Sequence, residues 1–420
     1  MLRSLSLISA LSLLNAVFPF LLLPILTFHL TVDEFGSLVI LETFMAILVP
    51  FVQFSVAGLI VEYFKLSKSD FRLYITNSLL LVIPAFIFFE IMVFLSSEFI
   101  SNQFGLHRTW FLMLPVIILL NVCIQALVTV YQCKKKYKFY SIFLLGPNVL
   151  TFMLTIFFLF FVDLGWQSKL FGIVISFSIF AVVSILFLIK EIDIDWKIDF
   201  SVILSNLRFT LPIIPHSVAA GLYFMADRLF LSELLGNASV AIYAAGMQLA
   251  LVMSVVQNSV SKAWTPFVME YLKKCGSGDK SFSCGYNELY RFMLLGCLVV
   301  MGLGVVIAFA IYLSVDYILP AGYEQSKYLG MMLVGGFCLL GFYKVYSPLL
   351  WYHKRTGSLS KVTIVVFFIN LALNAVFIPE FGVYGACYAT IISLFFQFAF
   401  TQVLVFRIVK NHLRELEYAA

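Results

Sequence analysis

The chain has 420 residues, of which 62% are apolar and only 12% charged, with a formal net charge of +5. Soluble domains carry about 25% charged residues, so a water-facing surface of ordinary extent is excluded. Twelve apolar stretches use up nearly the whole length and leave no room for a soluble domain.

The stretches lie at 5–27, 35–60, 74–96, 109–131, 139–161, 169–189, 209–231, 238–261, 289–313, 327–351, 362–379 and 383–406. Each is long enough for a helix across a hydrocarbon core about 30 Å thick. At the N-terminus, Arg3 precedes an apolar run in the manner of a signal peptide. No small-x-small cleavage site closes that run, and Pro19 and Pro24 interrupt it, so it reads as span 1. Span 2 carries Glu42 on one helical face with Ala46, Val49 and Gln53. Glu90 lies in the outer half of span 3. Span 4 bears Asn121, Gln125, Thr129 and Gln132 as a polar stripe. The run Lys134-Lys135-Lys136 follows that span directly, which suits an anchor among anionic head groups and argues against nucleic acid as a partner.

A polar linker, Lys190–Arg208, precedes span 7. Near the start of that span Pro212 and Pro215 remove backbone donors and permit bends. His216 follows, on one face with Asp227, and Arg228 completes an Asp-Arg pair near the outer end. The interruption 262–288, with its Gly-, Ser- and Lys-rich run Lys273–Ser283, reads as a flexible linker. Lys344 lies about two-thirds of the way along span 10. Asn370 and Asn374 mark span 11, and Ser393, Gln397 and Thr401 mark span 12.

A charge at the bilayer centre costs about 3 kcal/mol on insertion scales, so each one needs a reason. One reading lines a hydrated cavity with Lys344, Arg228, Glu42, Asp227, His216, Gln53, Asn121 and Gln125. The other makes the amides helix–helix glue at about 0.6 kcal/mol each and lets near-terminal charges reach the interface. Depth favours the cavity for Lys344 and Glu42. The amide stripes, the Asp227-Arg228 pair and His216 fit either reading.

Basic residues alternate between the two sets of loops. With both termini on one side, the opposite loops and the span edges beside them hold Arg108, Lys169 and Lys327, Arg228 and Lys344 lie within spans, and the remaining 22 of the 27 Lys and Arg fall in the loops, tails and span edges of the termini's side. The positive-inside rule then places both termini in the cytoplasm of a bacterial inner-membrane protein. Landmarks also recur in order. Phe35-Gly36 after span 1 echoes Ala241-Ile242-Tyr243 after span 7, and the basic turn after span 4 echoes Tyr352 to Arg355 after span 10. Asp163-Leu164-Gly165 before span 6 likewise echoes Glu380-Phe381-Gly382 before span 12. The expected fold is all-α and integral to the membrane: about 12 transmembrane helices in two pseudo-symmetric six-helix bundles, 1–195 and 196–420, around a central cavity.

No phosphate-binding Gly-x-x-x-x-Gly-Lys loop, nucleophile elbow or metal-spaced His/Cys cluster occurs, so neither enzyme chemistry nor a cofactor is expected. Of seven cysteines none falls in an outer loop, and no disulfide framework is implied.

One stretch carries a family likeness. Leu211-Pro212 opens it, Asp227-Arg228 follows, and Val240-Ala241-Ile242-Tyr243 closes it. Further matches are Ala263-Trp264-Thr265-Pro266-Phe267, Gly322-Tyr323-Glu324, Asn370 to Asn374 and Phe381 to Ala386. Together these resemble the O-antigen and polysaccharide flippases of the multidrug/oligosaccharidyl-lipid/polysaccharide exporter superfamily, although Ala241 stands where the family often has Gly. The resemblance implies transport of an undecaprenyl-pyrophosphate-linked oligosaccharide from the cytoplasmic to the periplasmic leaflet through a cationic cavity. It also makes a polysaccharide polymerase and a chain-length regulator candidate partners. A drug or cation antiporter of the same superfamily and a membrane polymerase or ligase are the competing readings.

Reporter fusions after Lys274 and after Lys354 are expected to be active only as cytoplasmic reporters. A periplasmic signal at either point overturns the topology.

Overall fold

Hydrocarbon offers no partner to a backbone N–H or C=O, so a chain this apolar must close its hydrogen bonds within each segment. The computed structural model describes residues 2–419 except 57–58, 60–61, 64–65, 193–196, 212–213, 215–224, 277–281 and 354, and among the described residues it contains helices and no strands. Thirteen helices are named here: α1 Leu2–His29, α2 Val32–Gln53, α3 Lys68–Phe104, α4 Arg108–Cys133, α5 Tyr137–Phe157, α6 Gln167–Ile192, α7 Phe200–Thr210, α8 Ala226–Leu235, α9 Asn237–Gly276, α10 Phe282–Ile318, α11 Glu324–Tyr352, α12 Thr356–Phe381 and α13 Val383–Ala419. Ten stretches among the described residues are long and apolar enough to cross a membrane, and they coincide with expected spans 2 to 6 and 8 to 12. In α1 the described apolar stretch, Val17–His29, is shorter than a membrane span requires. Most of span 7, with Pro212, Pro215 and His216, lies outside the described residues.

Local chemistry sets the ends. Thr31 and Glu34 close a capping box on α2, Glu34 Oε2 accepting from the Thr31 N–H at 2.9 Å. Gly105, with φ +65°, takes the left-handed turn that stops α3. A π turn, Phe158–Val162, ends α5 and hands over to Asp163 in the left-handed region. Asp199 caps α7, and the Ser201 hydroxyl and N–H hold its carboxylate below the ordinary range.

The chain divides into two compact units, Met1–Ala241 and Ile242–Ala420. In the first, α5 lies along α6, and α4 packs against α2, α3, α5 and α6. The centre of that unit is an aliphatic and aromatic cluster around Ile75, Leu127, Tyr131 and Phe143. Helix α7 is tied to α3 by Asn206, whose amide donates to Ser78 Oγ at 2.7 Å and to the Ser55 carbonyl at 3.0 Å. In the second unit α11 and α12 flank α13, and α10 packs on α11.

Two differences from expectation concern the linkers. The stretch 262–288 is mostly helical, because α9 runs on to Gly276 and α10 begins at Phe282. Apolar residues at Trp264, Phe267, Val268, Tyr271 and Leu272 keep the helical period past the span, while the Gly/Ser composition is confined to the few residues that follow. The two extensions are joined side by side: Phe267 and Tyr271 each contact the Phe292 ring, and the Tyr271 hydroxyl donates to Glu288 Oε2 at 2.9 Å. Likewise, the end of Lys190–Arg208 lies in the short helix α7, which runs on to Thr210.

Close helix contacts use small residues, as expected where packing rather than hydrophobicity drives association. The tightest approach in the first unit is at Gly36, where an added Cβ would sit 1.9 Å from the Asn237 carbonyl oxygen. Asn237 in turn accepts from Ser232 Oγ at 2.7 Å and donates to Ser37 Oγ at 3.2 Å. Thus the start of α2 is fastened to the α8–α9 turn. Gly36→Val is expected to destabilise the protein by about 1–3 kcal/mol through overpacking, read as a lowered unfolding midpoint in detergent. Gly335→Ala, at a site with nothing within 4 Å of the new Cβ, is the neutral control. Equal midpoints for both variants would refute the contact.

Candidate functional site

The polar residues inside the spans sort into three physical groups. The first is fully sequestered. Asn370 and Asn374 on α12 are both 0% exposed, and Asn374 Nδ2 donates to Asn370 Oδ1 at 3.1 Å. On α13 Ser393 and Thr401 are buried and return their hydroxyl protons to carbonyls one turn earlier, at 2.7 Å each. These groups are buried within the second unit, and the hydrogen bonds named are made within their own helices.

The second group is half-exposed. Along α4, Asn121, Gln125, Thr129 and Gln132 are all partly open, whereas the intervening Val122, Ile124, Ala126, Leu127, Val128 and Val130 are buried. Gln125 donates weakly to Asn121 Oδ1 at 3.4 Å, and Thr129 satisfies itself on the Gln125 carbonyl at 2.8 Å. The stripe therefore keeps amide capacity for another molecule. Gln53, at the end of α2, is also half-exposed.

The third group is charged, and pairing separates its members. Glu42 on α2 forms an ion pair with Lys169 in the first turn of α6, with side chains 30% and 15% exposed. The geometry is informative. Gly165, one turn before Lys169, packs at Glu34, about two turns above Glu42 on α2. Lys169 therefore reaches down into the membrane toward the carboxylate instead of out to the interface. Its assignment to an outer loop by sequence misses this role. Asp227 is fully buried at the start of α8, and Arg228 is half-buried with Nη1 3.0 Å from Met225 Sδ.

Lys344 on α11 differs in kind. Its ammonium donates to Asn258 Oδ1 on α9 at 2.8 Å, and no ion pair to a carboxylate is found for it among the described residues. The surrounding backbone is fixed by two other α9 side chains. Gln257 Nε2 donates to the Phe337 carbonyl at 2.7 Å, and Trp264 Nε1 donates to the Val345 carbonyl at 2.9 Å. Phe342 and Tyr346, on either side of Lys344, both contact the Phe398 ring of α13. Among the described residues, the ammonium of Lys344 is thus held by one amide. Asn258 is absent from the sequence-derived set; it lies in the last turn of span 8, in the polar run Gln257-Asn258-Ser259.

A variant pair tests the Glu42–Lys169 contact. Glu42→Gln alone is expected to cost about 1–3 kcal/mol, below the range for a fully buried pair because both groups retain some exposure. Glu42→Gln with Lys169→Met is expected to recover most of the loss, since neither charge is then left alone. The measurement is thermal unfolding of purified protein. A double variant no better than the single one removes the pair as a stabilising contact.

Comparison with known proteins is consistent with these features. Residues 1–272 match the family model described as polysaccharide biosynthesis protein. A Haemophilus influenzae protein described as an uncharacterized membrane protein is 25% identical over 390 residues, which span 88% of this chain and 90% of that one. A second Haemophilus influenzae protein, named for the Lsg locus, is 27% identical over 271 residues, 61% of this chain and 63% of its own. Among solved structures, an inward-facing multidrug resistance transporter of the MATE family in the MOP superfamily aligns with TM-score 0.75 at 10% identity, over 94% of this chain and 96% of its own. The lipid II flippase MurJ in an inward closed conformation aligns with TM-score 0.71 at 15% identity, over 94% and 85%. At such identities the structural likeness is one of fold. The chain is a multi-pass membrane protein that belongs to the polysaccharide biosynthesis protein family and has the all-α fold shared by MATE transporters and MurJ.

Proposed function

We propose that the protein is a flippase that moves an undecaprenyl-pyrophosphate-linked oligosaccharide from the cytoplasmic to the periplasmic leaflet of the inner membrane, with both termini cytoplasmic and two six-helix halves, 1–195 and 196–420. Family membership and the MurJ-like fold support the class of activity. The observation that carries the substrate is Lys344, a cation inside a membrane span whose hydrogen-bond partner is the neutral Asn258. A pyrophosphate leaving water must be met by cations, because an unpaired anion in a medium of low dielectric carries a large desolvation penalty. An amide partner holds the ammonium in place without neutralising it. The half-exposed amides of α4 offer the hydrogen bonding that sugars need. In this reading Arg228 is the second cation to test, and Asp227, Glu42, Gln53, Asn121 and Gln125 serve the polar lining or its framework.

Export of a drug or small cation is the second reading, favoured by the TM-score of 0.75 to a multidrug transporter. A bare ammonium opposes it, since a cationic substrate is repelled where an anionic one is drawn in.

Replacing Lys344 with Ala is expected to lower export of surface polysaccharide at least about tenfold, the cost of one charged hydrogen bond, with normal protein in the membrane. Lys344→Arg should keep part of the activity. Lipid-linked units are expected to accumulate on the cytoplasmic face. Full export by Lys344→Ala, or altered drug resistance with intact polysaccharide, refutes the assignment.

A further inference from the structure

Two cavities lie one above the other between the same three helices of the first unit. The lower one, about 320 Å³, sits at the end where α3 begins and α4 and α6 finish. Its lining includes Ser67, Phe71 and Arg72 from the start of α3, Lys134 from the end of α4 and Glu191 from the end of α6. The upper one, about 240 Å³, is lined by Leu79 and Ile83 of α3, Leu119 and Cys123 of α4, and Ile185 and Ile189 of α6. Its walls are almost wholly apolar, with Thr76 as the one hydroxyl. Thr76 is one helical turn from Arg72, and Ile189 is within one turn of Glu191, so the two cavities follow one another along the helices. Ile83, Ile185 and Ile189 are 51%, 43% and 40% exposed, so the upper cavity opens sideways as a groove on the lipid-facing surface.

Charge distinguishes the lower end. Glu191 takes two ammonium groups at once: Lys134 Nζ lies 3.1 Å from Oε2, and Lys136 Nζ lies 2.7 Å from Oε1. Lys134 also donates to the Glu191 carbonyl at 2.8 Å. The charged lining of the cavity itself is Arg72, Lys134 and Glu191, two cations to one carboxylate. Asp70, the nearest acid along α3, accepts from the Ser67 hydroxyl at 2.6 Å. The lysine run after span 4 is therefore more than a loose surface anchor, because Lys134 and Lys136 are folded against α6.

We propose that this paired site binds one anionic phospholipid of the surrounding leaflet. The phosphate sits in the lower cavity, against Arg72 and Lys134, and an acyl chain lies in the groove between α3, α4 and α6. Basic pockets at the ends of membrane helices suit such head groups, and the adjoining groove matches a hydrocarbon chain and little else. The occupant is a phospholipid and not the transported molecule, since the groove faces the bilayer in which phospholipid is in large excess. This inference stands apart from the flippase reading and concerns different residues.

Photo-crosslinking decides it. The full-length protein is placed in nanodiscs holding equal fractions of phosphatidylglycerol and phosphatidylcholine, with a diazirine on the acyl chain of one or the other, and adducts are mapped by peptide mass spectrometry. The phosphatidylglycerol probe is expected to label 76–83, 119–123 and 185–189 in preference to the choline probe. Each of Arg72→Gln and Lys134→Gln should reduce that preference about fivefold. Unlabelled phosphatidylglycerol should compete, and Arg72→Lys should retain the preference. Should the neutral variants fail to fold, competition on the wild-type protein gives the answer alone. Equal labelling by both probes, or a preference that survives both neutral substitutions, overturns the site. Competition by undecaprenyl pyrophosphate at lower concentration than phosphatidylglycerol also overturns it, and assigns the groove to the polyprenyl lipid.

Discussion

The low dielectric constant of hydrocarbon, and its lack of hydrogen-bonding groups, govern this molecule at every scale. Together they force each backbone segment into a helix, since no solvent is present to satisfy an open N–H or C=O. The same medium makes each charged side chain expensive unless something nearby compensates it. Helix contacts cannot draw on a hydrophobic gain either, which is why they fall at Gly36, Gly246, Gly330 and Gly385, where backbones come within reach of each other. Stability and function thus compete for one scarce resource, the polar atoms within the spans.

How those atoms are spent tells framework from site. Glu42 and Lys169 compensate each other within the first unit, and Asn370 and Asn374 are wholly buried on α12. The ion pair holds α2 and α6 in register. Lys344 keeps its charge available, with an amide as its hydrogen-bond partner, and the α4 stripe keeps unused donors and acceptors on an open face. Deep residues that look alike in one dimension therefore divide by the company they keep.

Sequence reading succeeds where the physics is periodic and fails where it is pairwise. The positions of spans 2 to 6 and 8 to 12 and the α4 stripe follow from helical spacing and hydropathy, and the structure reproduces them. An outer-loop assignment of Lys169 from hydropathy is blind to a carboxylate on another helix. Asn258 escaped notice because its meaning comes from Lys344, 86 residues away. The stretch 262–288 was read from its Gly, Ser and Lys content, although 264–272 retains helical periodicity. The family model ends at residue 272, so the motifs at 322–324, 370–374 and 381–386 lie beyond the matched region, and their likeness rests on the resemblance alone.

The length of α9 has a mechanical consequence. Its 40 residues make a rod about 60 Å long, of which the membrane-crossing stretch ends near Ser261. About 20 Å then projects beyond the bilayer, stiffened by its aromatic seam with α10. A rod held at one end works as a lever. Each 10° change in tilt within the membrane displaces the free tip by about 3–4 Å over that projecting length. Asn258 and Trp264 both lie near the fulcrum, so any tilt of α9 would carry with it the groups that hold Lys344 and its backbone.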